Sequence, residues 1–94
     1  MTSELDRQIQ QAADVLRSFG AQEVYVFGSA AKDATDDRSD VDFAVVALPI
    51  GVFLKAWARA VRSLPGREMD LVDLDRDEPF ARFLREHGEL KRVG

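Results

Sequence analysis

Two short apolar segments on either side of a polar loop constrain the fold of this chain more than any other feature. The first segment, residues 24–27, stops at Gly28 and Ser29; ten residues then separate Ser29 from Asp40, and Asp42 opens the second segment. Both segments have the composition of strands. Strand side chains alternate between two faces, so Asp40 and Asp42 point to the same side, roughly 7 Å apart. The sequence therefore predicts two strands, a polar loop between them and two carboxylates where the second strand begins.

Two carboxylates this close need a cation. Unit charges about 4 Å apart repel by about 4 kcal/mol at an effective dielectric near 20, and Asp42 lies in an otherwise apolar segment, where an uncompensated charge is costly to bury. A hard divalent ion, best matched by Mg²⁺, fits two carboxylates and the phosphates of a substrate. Gly28 lets the backbone approach a phosphate, and Ser29 can cap the following turn, whose free N–H groups attract anions. The pattern indicates a nucleoside triphosphate bound with its metal.

The rest of the chain predicts a small α/β (α+β) domain, one small mixed sheet of three to four strands flanked by helices. An apolar stripe over residues 5–19 predicts a helix that Gly20 ends, with Ser3 as its cap. Strands are expected at residues 23–27, 41–47 and 68–74, a short helix from Asp77, and a short edge strand at residues 89–93. A second helix is expected from Pro49, and its predicted apolar face comprises Ile50, Leu54, Trp57, Val61 and Leu64.

Composition narrows the functional classes. The 94 residues predict one domain, 1–94, and the net charge of −4 argues against direct nucleic-acid or anionic-membrane binding, which requires an excess of Lys and Arg. A partner with a basic surface would suit this charge. No cysteine is present, which excludes disulfides, thiolate zinc sites and a cysteine nucleophile. The start of the chain lacks the features of a signal peptide, and no apolar run reaches the length of a membrane span, so the expectation is a soluble cytoplasmic protein.

An Asp-x-Asp pair is a weak signal by itself in a chain this rich in aspartate. Two more pairs occur within residues 73–77, in a stretch similar to a calcium loop. A calcium loop needs glycine where Glu78 stands and a closing glutamate where Leu84 stands, so this interpretation is disfavoured. The pair at Asp40 and Asp42 is distinguished by its context, an apolar strand before Gly-Ser and another after the carboxylates.

The Gly-Ser pair, the gap of ten residues, the Asp-x-Asp pair and the apolar strand after it resemble the minimal nucleotidyltransferases of the DNA polymerase β superfamily. The likeness is greatest to the small antitoxin-type members that are paired with a HEPN-domain toxin. It covers most of the chain, including the predicted strand MDLVDL. Ala30 and Asp33 depart from the usual GSRARG pattern of the loop, whereas Ala31 and Lys32 agree with it.

The resemblance implies roles for particular residues. Gly28 and Ser29, with a phosphate contact from Lys32, would hold ATP; Lys32 is otherwise an ordinary surface lysine. Asp40 and Asp42 would hold Mg²⁺, and a later carboxylate would complete the metal site and accept the hydroxyl proton. Asp70 is the match for that carboxylate, and Asp73, three residues on and facing the opposite side of the strand, is the alternative.

The resemblance also implies a reaction and a partner. AMP would pass from ATP to a hydroxyl, expected to be a tyrosine of a cognate HEPN-type toxin, and the two proteins would form a hetero-oligomer. A second hypothesis is an antitoxin that neutralises its partner by occlusion without essential catalysis. A third, transfer to a small molecule such as an aminoglycoside, is disfavoured because such enzymes carry an additional helical domain.

Overall fold

The computed structural model describes residues 4–28 and 40–94. Within these residues the elements follow in the order α1 (Glu4–Ser18), β1 (Glu23–Phe27), β2 (Val41–Val46), α2 (Phe53–Ala60), β3 (Met69–Asp73), α3 (Pro79–His87) and β4 (Lys91–Arg92). This is the order that the sequence predicts. The helix cap expected at Ser3 lies outside the described residues.

The strands form one mixed sheet in the spatial order β3-β2-β1-β4. Strand β1 is antiparallel to both β2 and β4, whereas β2 and β3 are parallel. Parallel neighbours need a crossover connection, and α2 lies in the segment that joins these two strands. Strand β2 is therefore central and paired on both sides, in agreement with its nearly continuous apolar sequence. The predicted small mixed sheet flanked by helices is confirmed.

The two faces of the sheet are covered unequally. One face packs against α1 and α2 in the main core. The largest fully buried side chains are Phe43, Leu16, Leu64, Val24, Val26, Val41 and Val45. The other face carries a smaller cluster around Ala44 and Leu74, to which α3 contributes Leu84. Because side chains alternate along β2, Asp42 shares this second face with Ala44.

The apolar face predicted for the second helix is wrong in part. The segment consists of α2 with a 3-10 turn at each end, Ile50–Val52 and Val61–Ser63. Ile50 and Leu54 are 70% and 74% exposed, whereas Ala56 and Ala60 are fully buried. Helix α2 packs on α1, and small alanines let two helices approach closely, so the alanine side faces the core. None of the helices in the described ranges is long and apolar enough to cross a membrane.

Candidate active site

Asp42 and Asp70 lie side by side at the same end of two neighbouring strands. The parallel register of β2 and β3 pairs Val41 with Met69 and Asp42 with Asp70. Paired residues of adjacent strands project from the same face, and the strands are about 4.8 Å apart. Each aspartate is the second residue of its strand, so the sheet pairing alone brings two carboxylates together.

The surroundings of Asp42 disfavour its negative charge. Partial burial raises the pKa of the Asp42 carboxyl, and the charge of Asp70, a hydrogen bond with Asp70 and the charge of Asp40 raise it further. Each of these causes acts against the ionised form. A titratable group perturbed in this way at a strand end is typical of a functional site. Among the described residues, the charged groups that shift the pKa of Asp42 are therefore both carboxylates, Asp70 and Asp40.

Asp40 stands apart from this pair. It precedes the first residue of β2 and is exposed, although it is close enough to act on the pKa of Asp42. The part of the chain that the structure describes holds no group of three acidic or histidine side chains arranged to bind a metal. The carboxylates that the structure brings together are therefore those of Asp42 and Asp70.

Asp73, the alternative to Asp70, has a different environment. It pairs with Val45 in the register, projects toward the main core and is only 7% exposed. Its Oδ1 accepts a hydrogen bond from the backbone N–H of Asp75 at 2.9 Å. Asp75 in turn accepts one from the N–H of Ala47 at 2.6 Å. These carboxylates fix the loop after β3, which accounts for them without a calcium ion.

Gly28 adjoins the carboxylate pair. Strand β1 ends at Phe27, whose register partner is Asp42, and Gly28 follows with φ of +69°, in the left-handed region that favours glycine. A Cβ at this position would lie 3.0 Å from Oδ2 of Asp42. Glycine is thus required both by the backbone conformation and by the nearby carboxylate. Ser29 and Lys32, the other residues predicted to contact phosphate, lie outside the described residues.

Two aromatic residues at this end of the sheet were not among the predicted site residues. Phe27 projects from the same face as Asp42, and its ring contacts that of Phe80 in the first turn of α3, with 6.0 Å between the ring centroids. The position of Phe27 directly before Gly28 could have indicated its proximity to the site. The placement of Phe80 depends on how α3 packs across the sheet, which no local pattern specifies.

The donor set suits magnesium. Mg²⁺ is usually held by one or two carboxylates together with waters and substrate phosphates, not by a cage of protein ligands. Asp42 and Asp70 provide carboxylate oxygens on one face, and partial burial together with repulsion from Asp70 raises the pKa of Asp42. A divalent ion would remove this repulsion. The residues present therefore fit the metal that the sequence predicts.

This chain is similar in sequence and in fold to known proteins. The model of the family "Polymerase beta, Nucleotidyltransferase" matches residues 10–90. No curated protein gave a significant match. The chain is similar to a crystal structure of a toxin-antitoxin with AMP-PNP, with 25% identity over 95% of this chain and 72% of that one and a TM-score of 0.66. A mutant of the toxin-antitoxin MntA-HpeT shares the fold, with 22% identity over 95% and 71% of the two chains and a TM-score of 0.63.

Proposed function

Because this chain belongs to the polymerase β nucleotidyltransferase family, we propose that it transfers AMP from ATP to a hydroxyl group of a partner protein. The observation that carries this proposal is the parallel register that sets Asp42 beside Asp70, next to Gly28. Two adjacent carboxylates beside a glycine turn are suited to a metal-bound triphosphate. Because the proposed donor is ATP, the cytoplasm is the proposed compartment.

Asp42 and Asp70 would hold magnesium, with Asp40 as a further oxygen ligand at the edge of the site. The ion would neutralise phosphate charge and lower the pKa of the attacking hydroxyl. Asp70 is exposed and therefore accessible to the acceptor. It would take the proton of the hydroxyl as a general base. The acceptor oxygen then bonds to the α-phosphorus, and the bond from that phosphorus to the pyrophosphate oxygen breaks.

Gly28 and the loop after it would hold the triphosphate. With no side chain and a positive φ, Gly28 leaves its backbone open beside Oδ2 of Asp42. Ser29 and Lys32 are proposed to contact the phosphates, in keeping with their positions in the family motif. These groups would orient the α-phosphorus for in-line attack.

The proposed acceptor is a tyrosine of a cognate HEPN-type toxin, so that the chain acts as an antitoxin and forms a hetero-oligomer with its target. Support comes from the similar toxin-antitoxin structure that contains AMP-PNP. The net charge of −4 is compatible with a partner that has a basic surface.

A second candidate is an antitoxin that acts by occlusion, without essential transfer. The observation that favours it is that four large apolar side chains are exposed, because exposed apolar surface can mark a protein–protein interface. They are Ile50, Leu54, Phe80 and Phe83.

Incubation of the chain with its toxin, Mg²⁺ and ATP labelled at the α-phosphate separates these candidates. We expect the label on the toxin, and its loss with the variant Asp42→Ala. The matched control is Asp14→Ala, which removes an exposed carboxylate of α1, a helix that packs on the opposite face of the sheet. Transfer by Asp42→Ala at the wild-type rate would overturn the proposed site. Full neutralisation of the toxin by Asp42→Ala, without transfer, would establish occlusion instead.

A further inference from the structure

We propose that Phe27 and Phe80 form the subsite for the nucleobase of the donor nucleotide, an inference that rests on the proposed function of the carboxylate site. The juxtaposition that supports it is an aromatic pair at the same end of the sheet as Asp42 and on the same face. This pair would bind the base of a nucleotide whose phosphates lie at the carboxylate site.

The position of Phe27 connects this aromatic pair to the phosphate site. Phe27 is the last residue of β1, the partner of Asp42 in the antiparallel register and the residue directly before Gly28. Side chains of directly paired residues in antiparallel strands have Cβ atoms about 4.5–5.5 Å apart. The side chain of Phe27 therefore lies next to that of Asp42, one of the proposed metal ligands.

Phe80 extends this aromatic surface into solvent. It lies in the first turn of α3, is 51% exposed, and its ring meets that of Phe27 edge to face at 62°. Helix α3 is held against the sheet by other residues, Ala81 and Leu84, which are buried. Phe80 thus contacts Phe27 and still leaves half of its surface in water. A planar ligand would cover that surface.

The exposed aromatic ring indicates a ligand that binds by stacking. Every nucleobase has a π-face that stacks on an aromatic side chain, and such contacts are largely independent of base identity. The subsite would therefore add affinity for a nucleotide over a bare polyphosphate. It would not by itself select adenine, so we expect ATP, GTP and CTP to bind with dissociation constants within about threefold of one another.

The test compares two ligands, Mg-ATP and Mg-tripolyphosphate, by calorimetric titration of the full chain. Tripolyphosphate occupies the phosphate site but carries no base. The variant Phe80→Ala should weaken ATP binding about tenfold and leave tripolyphosphate binding unchanged. The matched control is Phe83→Ala, because Phe83 is exposed to a similar extent, 55%, on the same helix, and its ring contacts His87. This control should change neither dissociation constant.

Two further variants separate stacking from general packing. Phe80→Trp should retain ATP affinity, whereas Phe80→Leu, which keeps apolar bulk without a ring, should lose most of it. Equal loss of ATP and tripolyphosphate affinity in Phe80→Ala, or full ATP affinity in Phe80→Leu, would overturn the subsite. Equally tight binding of the two ligands to the wild type would do the same. Absence of binding of either ligand to the wild type would instead refute the proposed function, and the subsite with it.

Discussion

Asp42 lies beside Asp70 in the parallel register of β2 and β3, and the charge of Asp70 helps to raise the pKa of Asp42. Two like charges in adjacent strands oppose folding unless a cation joins them. The same arrangement is useful to an enzyme that must hold a metal and a polyphosphate. The repulsion in the metal-free chain and the proposed activity therefore have the same origin, and both can be measured.

Replacing the Asp42 carboxyl should stabilise the metal-free protein. A raised pKa in the folded state means that Asp42 favours folding when protonated and opposes it when ionised, as pH rises through its folded pKa. Asp42→Asn should therefore raise the free energy of unfolding near neutral pH by about 0.5–1 kcal/mol, the size of a charge interaction that is partly screened by solvent. Urea denaturation with a chelator present measures this, and the gain should vanish in acid. A destabilised variant near neutral pH would contradict the prediction.

Magnesium affinity should depend on pH through the same group. A metal binds the ionised carboxylate, so protons compete with it. Because the pKa of Asp42 lies above the ordinary value of 3.8, the affinity for Mg-ATP should begin to fall at a higher pH than an ordinary aspartate would cause. Calorimetric titrations over a series of pH values measure the onset. Asp70→Asn removes a neighbouring charge and should move the Asp42 titration, followed by NMR, to lower pH; an unmoved titration would contradict the stated cause.

Asp70 and Asp73 should have separable effects on the reaction. Asp70→Asn should reduce AMP transfer at least about 100-fold, since it removes a proposed metal ligand that is also the proposed general base. Asp73→Asn retains the Oδ1 that accepts the N–H of Asp75, and transfer should stay within about threefold of wild type. Initial rates of AMP transfer from labelled ATP measure the effect of each variant. The opposite ranking would make Asp73 the catalytic carboxylate.

Substitution of Gly28 should disturb the site through its backbone. Alanine in the left-handed region costs about 1–2 kcal/mol, and its Cβ would press on Oδ2 of Asp42 at 3.0 Å. Gly28→Ala should therefore lower both the free energy of unfolding and the affinity for Mg-ATP. The control is Gly51→Ala, where a Cβ would meet no atom within 4 Å and φ is not positive. Its unfolding free energy should stay within about 0.5 kcal/mol of wild type.

Leu54, which is exposed on α2, and Leu64, which is buried after the 3-10 turn that follows α2, should respond differently to substitution. Leu54 is 74% exposed, so Leu54→Lys should change the free energy of unfolding by less than about 0.5 kcal/mol. Leu64 is almost fully buried, and Leu64→Ala should cost about 2–5 kcal/mol through lost contacts and a cavity. Thermal denaturation of both variants tests this. Strong destabilisation by Leu54→Lys would instead support the sequence prediction that Leu54 faces the core.

Most of the local structure could be predicted from the sequence because each helix and strand has a clear residue pattern. The first strand has the predicted bounds, 23–27, and β2 and β3 each begin within one residue of prediction. The positions of Gly28 and Asp42 followed from the same pattern. Asp70 was identified only by family resemblance, and the structure places it beside Asp42. The roles of all these residues, and of Asp40, Ser29 and Lys32, stay predictions.

Features that depend on packing between distant segments were not predictable. The face of α2 that is buried was misassigned because hydrophobicity favoured Ile50 and Leu54 over the alanines, while contact with α1 favoured small side chains. The β2–β3 register is also a tertiary property. A strand pattern gives the direction in which Asp70 points but not the residue that lies beside it.

The unequal covering of the sheet assigns stability mainly to one face and the proposed active site to the other. Two helices and the largest buried side chains stabilise one face, while the proposed reaction takes place at the edge of the other face, on which the short helix α3 packs. Evolution could alter this edge, and with it the choice of nucleotide or acceptor, without rebuilding the interior. A scaffold of this kind is suited to repeated adaptation toward new targets.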